Sequence, residues 1–218
     1  QLNILSLQES QGLDAQALHA ALSAGHMPPG STRTPDAGFA DNDLFPATRP
    51  QMSLGEAAAA PEASNALTLP AIAELIATFA HAKTFGSLIQ IGPQRLPSLR
   101  EQLSILKNAQ ASGDLYAQAA AKDLLPLVRQ ALVLGMQFDA VVANPPYMGG
   151  KGMNPALKDY ARATFPDSKS DLFAMFMERG FDWCKPSGFN SMVTMHTWMF
   201  LSSYEEMRRS LLTQHSLT

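Results

Sequence analysis

The chain has 218 residues but only one cysteine and two tryptophans. A single cysteine excludes an internal disulfide framework and argues against a cysteine-built zinc cluster. No apolar run reaches the roughly 18 residues that a membrane-spanning helix needs. No basic segment followed by an apolar one opens the chain, so no signal peptide is expected and a cytoplasmic location is. An excess of one charge is also missing. Lys and Arg total 16 against 19 Asp and Glu, a formal charge of −3. This excludes a small, strongly basic nucleic-acid wrapper, though not nucleic-acid chemistry done locally. An initiating methionine is absent: the chain opens on Gln1 and reads as an internal segment of something longer. What is present is a hydrophobic content of 46%, enough for a globular core.

Periodicity divides the chain into three parts. In the first, residues 1–25, Leu2–Leu7 alternates as a short strand. An Ala/Leu-rich helix follows over 14–24, with Asp14 as its cap and Gly25 as its stop. The second part, 26–137, begins with an irregular excursion. Seven of the 15 prolines fall between Pro28 and Pro70, and bulky apolar residues are scarce there. Helical spacing then predicts helices over 70–82, 97–111 and 114–134, the last with Pro126 as a point of kinking or splitting. The third part, 138–218, has the rhythm of an α/β unit. Phe138–Ala143 is a short apolar run rich in β-branched residues, predicted to be a parallel strand buried on both faces. A helix is expected over 171–182 with Ser170 as its cap. Pro186-Ser187-Gly188 should turn the chain into a second strand over Phe189–Met195. Ser202 and Ser203, each three residues ahead of Glu205 and Glu206, form a capping-box pattern for a last helix through Leu212.

The chemistry-bearing residues follow the first of these strands as Asn144-Pro145-Pro146-Tyr147. Ligands of open α/β sheets sit beyond the carboxyl ends of the strands, where this tetrapeptide falls. Two prolines stiffen the backbone and remove donors, leaving carbonyls free to accept. The Asn144 side-chain oxygen and the Pro145 carbonyl present two acceptors to one exocyclic amino group. Tyr147 offers an aromatic face for a planar base. Two acceptors on an aromatic amine draw its nitrogen towards tetrahedral geometry and free the lone pair to attack an activated methyl. Asn is no general base, so proton loss follows methyl transfer.

Phe138–Tyr147 resembles the catalytic motif of S-adenosylmethionine-dependent, adenine-N6 DNA methyltransferases. Ser170-Asp171-Leu172-Phe173 through Gly180 is similar to the helix after that family's catalytic loop. Lys185-Pro186-Ser187-Gly188-Phe189 through Met195 is similar to the next strand, and Tyr204–Leu212 to the helix beyond. The segments Met148–Asn154, His196–Ser203 and Thr84–Ile89 look closest to the large BREX-type phage-defence methyltransferases (PglX-like). The likeness covers 138–212 well and 1–137 loosely. It implies a partial Rossmann-like class I methyltransferase sheet carrying a large helical insertion. It also implies catalysis by Asn144, Pro145, Pro146 and Tyr147, with S-adenosylmethionine as cofactor of the complete protein. The expected partners are double-stranded DNA with a flipped adenine and other defence-system proteins. By the same resemblance, Asp171 lies on the cofactor side and Phe173 and Lys151 on the substrate side, and no metal is expected.

Two departures qualify this. The glycine-rich turn and following acidic residue that hold the cofactor in this family are missing, and Gly150-Lys151-Gly152 lies in the wrong place to replace them. The expectation is therefore that this chain alone binds S-adenosylmethionine weakly or not at all. Asn-Pro-Pro-Tyr also occurs in methyltransferases of RNA bases and of protein glutamine, although those enzymes are compact and lack a long helical insertion. A non-catalytic scaffold fragment is the remaining alternative. Cys184 reads as an inert thiol, His196 as structural, and Lys158 and Lys169, with Lys151, as solvated lysines or phosphate contacts.

Overall fold

The computed structural model describes residues 6–24 and 67–217. Most of the strand expected over 2–7 lies outside them, and Ser6 and Leu7 carry no regular structure. The excursion over 26–66 also lies outside the described residues.

The helical part builds one core. Asp14 caps α1 (Ala15–Ala24), its carboxylate accepting from the amides of Gln16 (2.8 Å) and Ala17 (3.3 Å). Pro70 at the start of α2 (Leu69–Phe79) removes a donor that would have had no partner. A short α3 (Ala82–Phe85) and two 3-10 turns (Gly86–Leu88 and Pro93–Arg95) follow, and then α4 (Leu96–Ala111) and α5 (Leu115–Leu134). Asp114 caps α5 through the amides of Tyr116 and Ala117. Pro126 does not split α5, which runs on through it as one helix. Leu18, Ile72, Leu75, Phe79, Leu99, Leu106, Leu124 and Val128 meet in this core. The helix of the N-terminal segment thus packs with the helical layer.

The second part pairs two strands in parallel, β1 (Phe138–Ala143) and β2 (Cys184–Met192). Among the described residues the sheet has these two strands only. The fold is therefore mixed helix and strand with a small parallel sheet. Their register runs from Phe138↔Cys184 to Ala140↔Phe189 and on to Ala143↔Met192. The irregularity falls where Pro186-Ser187-Gly188 was expected to turn: Ser187 takes φ 65° and the chain bulges out before pairing resumes. β2 therefore starts earlier than the sequence suggested and stops at Met192, although the Val193 amide still reaches the Ala143 carbonyl (3.0 Å).

Burial on both faces of β1 is not found. Val142 is 79% exposed and Phe189, on the same face of β2, is 69% exposed. The composition is that of a covered strand, but α7 (Leu172–Asp182) packs on one face alone among the described residues. Asn190 donates to the Met177 carbonyl (3.0 Å), and a Cβ on Gly180 would collide with Met192 and Asn190. The absence of a side chain at Gly180 lets α7 and β2 approach closely.

α6 (Pro155–Thr164) was not anticipated. Asn154 caps it, accepting from the Leu157 amide (2.8 Å), with Pro155 as its first residue. Leu157, Ala161 and Phe165 pack with Leu88, Leu172 and Met175. The opposite side of α7 packs Phe173 and Met177 against Trp198, Tyr204, Met207 and Leu211. The capping box at Ser202 and Ser203 does not form: those residues make a 3-10 turn, and α8 (Glu205–Gln214) begins without a side-chain cap.

Arg179 fastens the two parts together. Its side chain is 3% exposed and donates to the carbonyls of Ile89 (2.9 Å), Leu134 (2.9 Å) and Ser87 (3.4 Å). The guanidinium also lies 4.4 Å from the Trp183 ring centre.

Candidate active site

The site is built at the carboxyl end of the two strands, where β1 runs out into Asn144. Asn144 is exposed, Pro145 is buried and Pro146 is exposed. The buried proline roots the loop while Asn144 remains free to meet a ligand. Tyr147 is 49% exposed, and its hydroxyl lies 3.2 Å from the Val193 carbonyl and 3.4 Å from Asn144 Oδ1. The end of β2 and the candidate acceptor are thus tied to one phenol.

α7 supplies the other wall. Its N-cap is Asp171, not Ser170. Asp171 has the extended backbone of a cap residue, and its Oδ1 accepts from the Phe173 amide (3.3 Å) and the Met148 amide (3.0 Å). Leu172 donates to the Met148 carbonyl (3.1 Å), and Gly150 to the Ser170 carbonyl (3.1 Å). The chain beyond Tyr147 therefore lies antiparallel to the approach to α7. Phe173 is 1% exposed and meets the Tyr147 ring edge-on, with ring centres 6.0 Å apart and planes at 76°.

Asn144, Pro145, Pro146, Tyr147, Asp171 and Phe173 lie together at this end of the strands. Phe173 backs the tyrosine rather than facing solvent. Lys151 sits in the exposed turn just beyond the paired segment. His196 is exposed and meets Phe200 edge-on (6.0 Å). Cys184 is half-buried at the start of β2, and burial pushes its thiol pKa up. Two participants were missed. The Val193 carbonyl carried no side-chain signal. The pairing of Met148–Gly150 with Ser170–Leu172 joins residues too far apart for periodicity to connect. No group of three or more His, Cys, Asp and Glu suited to a metal occurs among the described residues, and no helix among them is long and apolar enough to cross a membrane.

A family model described as Eco57I restriction-modification methylase matches residues 71–218. The chain belongs to that family. Both parts of the molecule fall within the match: α2 to α5 as well as the strands and the Asn144 loop. The chain is also 44% identical, over 97% of its length, to an adenine-specific methyltransferase, BrxX, of Escherichia coli O9:H4 (strain HS). It is 33% identical, over 64% of its length, to an adenine-specific methyltransferase, PglX, of Lacticaseibacillus casei (strain Zhang). It spans 16% of the first relative and 12% of the second.

Proposed function

We propose that this chain is the catalytic segment of a DNA methyltransferase that transfers a methyl group from S-adenosylmethionine to N6 of adenine in phage defence. The observation that carries this reading is the Asn144 loop. An exposed amide and a half-exposed aromatic ring, held by three separate elements, stand at the carboxyl end of a parallel strand pair. The family and the names of both relatives support it. In the complete protein the two strands would belong to a larger Rossmann-like sheet, with 67–134 as its helical insertion.

Each residue's task follows from its chemistry. The ring face of Tyr147 stacks on an adenine swung out of the duplex. Phe173 holds that ring from behind. Asn144 Oδ1 and the Pro145 carbonyl accept the two N6 hydrogens and favour a tetrahedral nitrogen. S-adenosylmethionine, when bound, supplies an electrophilic methyl on a cationic sulfur. The loop from Asn144 to Gly150 carries no basic side chain and presents acceptors, which suits that charge. That methyl would pass to an N6 held by Asn144 and Pro145, its bond to sulfur giving way to the bond to nitrogen. The surplus proton then leaves N6 for water, since none of these residues is a base. Lys151, exposed beyond the loop, is placed to meet a phosphate.

The test is to supply labelled S-adenosylmethionine to the full-length protein that carries this chain, with duplex DNA, RNA or protein as acceptor in parallel, and to digest each acceptor to its nucleosides or amino acids. Label in N6-methyladenine is the expected result. Label confined to RNA or to protein glutamine would replace the substrate, and no label anywhere would leave a scaffold.

A further inference from the structure

From the hydrogen bonds between α7 and the catalytic loop we infer that Asp171 is a positioning residue: its carboxylate fixes the peptide that joins Tyr147 to Met148, and so sets the plane on which the target base stacks. This rests on the methyltransferase reading above and assigns Asp171 a task within it.

Four observations carry it. Asp171 Oδ1 accepts from the Met148 amide at 3.0 Å, and that amide belongs to the peptide leaving Tyr147. The same oxygen accepts from the Phe173 amide at 3.3 Å, so the loop is bonded to the first turn of a helix rather than to a mobile side chain. The Leu172 amide holds the Met148 carbonyl (3.1 Å), which fixes the next peptide too. The other oxygen, Oδ2, lies 3.4 Å from where a Cβ on Gly149 would stand, an ordinary contact distance that places it beside the loop. Both carboxylate oxygens therefore face the loop.

The consequence is geometric. Between Ala143 and Met148 the backbone is neither helix nor strand. Tyr147 is held at three points: its hydroxyl by the Val193 carbonyl, its ring by Phe173, and its outgoing peptide by Asp171. Of these, the hydroxyl contact is exposed to water and Phe173 touches only the ring. Asp171 is the side chain that bonds the peptide from which the ring projects, and the Leu172 amide holds the peptide after it. A displacement of about 1 Å at a reacting centre costs roughly 100-fold in rate.

A cap alone, a cofactor ligand and a loop clamp make different demands. Serine caps helices about as well as aspartate, but its shorter side chain cannot hold α7 and reach Met148 together. Asparagine keeps an acceptor oxygen at the Oδ1 position and discards the charge.

The experiment compares Asp171→Ser and Asp171→Asn in the full-length protein. It measures methylation kinetics, S-adenosylmethionine affinity, thermal midpoint, and hydrogen–deuterium exchange of the peptide covering 144–150. The clamp predicts faster exchange of that peptide in Asp171→Ser, together with a roughly 10- to 100-fold fall in kcat, unchanged cofactor affinity and a midpoint near wild type. Asp171→Asn should retain slow exchange and kcat within about threefold. Fluorescence of 2-aminopurine in place of the methylated adenine should differ from wild type in Asp171→Ser alone. Unchanged exchange and kcat in Asp171→Ser would overturn the inference. So would weakened cofactor binding with kcat intact in both variants, since the carboxylate would then be a cofactor ligand. If exchange rises as expected but the wild-type protein methylates nothing, the methyltransferase reading fails and the clamp stands as a structural fact.

Discussion

Tyr147 carries three kinds of interaction at once, and they separate by substitution. Its ring is half-exposed, it meets the Phe173 ring at 76°, and its hydroxyl bridges towards Val193 and Asn144. Removing the ring in Tyr147→Ala should weaken capture of the extruded base by about 1–3 kcal/mol. Tyr147→Phe keeps the face and edge and loses long, solvent-exposed hydrogen bonds whose net worth is about 0.5–1.5 kcal/mol at most. It should therefore stay within about tenfold of wild type in DNA affinity. Binding of the full-length variants to substrate duplex checks both, and a Phe variant as weak as the Ala variant would assign the work to the hydroxyl. The residues that were legible in sequence are those whose chemistry is local. Asn144 to Tyr147 declare themselves because two prolines beside an amide and an aromatic suit few purposes. Asp171 was legible as a residue of the site, but its bond to the Met148 amide was not, because Met148 is 23 positions away along the chain.

At the scale of elements, α7 is the helix through which everything is referred. Its N-terminus bonds the Asn144 loop, its two faces fill separate clusters, and Arg179 near its end ties it to the helical layer. Burial pulls the Arg179 guanidinium pKa below its ordinary value, and Asp182 beside it opposes that shift. The planar guanidinium reaches three separated carbonyls from more than one nitrogen, a span that the compact ammonium of lysine does not match. Arg179→Met should leave the carbonyl of Ile89 without its donor, whereas the Leu134 carbonyl keeps the Trp183 indole N–H (3.0 Å). For one such buried group the loss is about 1–3 kcal/mol. Chemical denaturation should show it as a lower midpoint, with Arg179→Lys recovering only part. A variant as stable as wild type would mean that the two layers hold together without this residue. Arginine in a helix reads by default as a solvated surface residue, so nothing local pointed to Arg179. The helices over 67–134 were legible because their apolar spacing is long and regular. α6 was passed over although Asn154-Pro155 is a start signal and Leu157 and Ala161 follow at helical spacing. The capping box failed because Ser202 and Ser203 were drawn into a 3-10 turn that buries Tyr204.

For the whole molecule, the sheet is the place where composition and surroundings disagree. β1 has the sequence of a strand covered on both faces, and Val142 and Phe189 stand open on one of them. A two-stranded sheet is a small part of the Rossmann-like sheet proposed for the complete protein, and this chain spans 16% of its BrxX relative. The apolar run predicted what such a strand needs, not what the described residues provide. The same reasoning applies to the cofactor. The glycine-rich turn and its acidic partner supply most of the orientation in this family, and neither occurs in the sequence. Titrating this chain by itself with S-adenosylmethionine should give no binding at micromolar concentrations. Micromolar affinity, about −8 kcal/mol, would show that the cofactor is held by residues already present.

The central claim is that Asn144 holds the reacting nitrogen, and methyl transfer by the Asn144→Ala variant of the full-length protein tests it most directly. Asn144 is exposed at the end of a strand, so its loss should change stability by no more than a kcal/mol or so. Removing one preorganised contact to the developing charge costs about 2.7–4 kcal/mol of barrier, or roughly 100- to 1000-fold in rate. The predicted result is a variant with wild-type circular dichroism and methylation of adenine reduced by that factor. Near-normal methylation by the folded variant would contradict the claim and leave the Asn144 loop a structural turn.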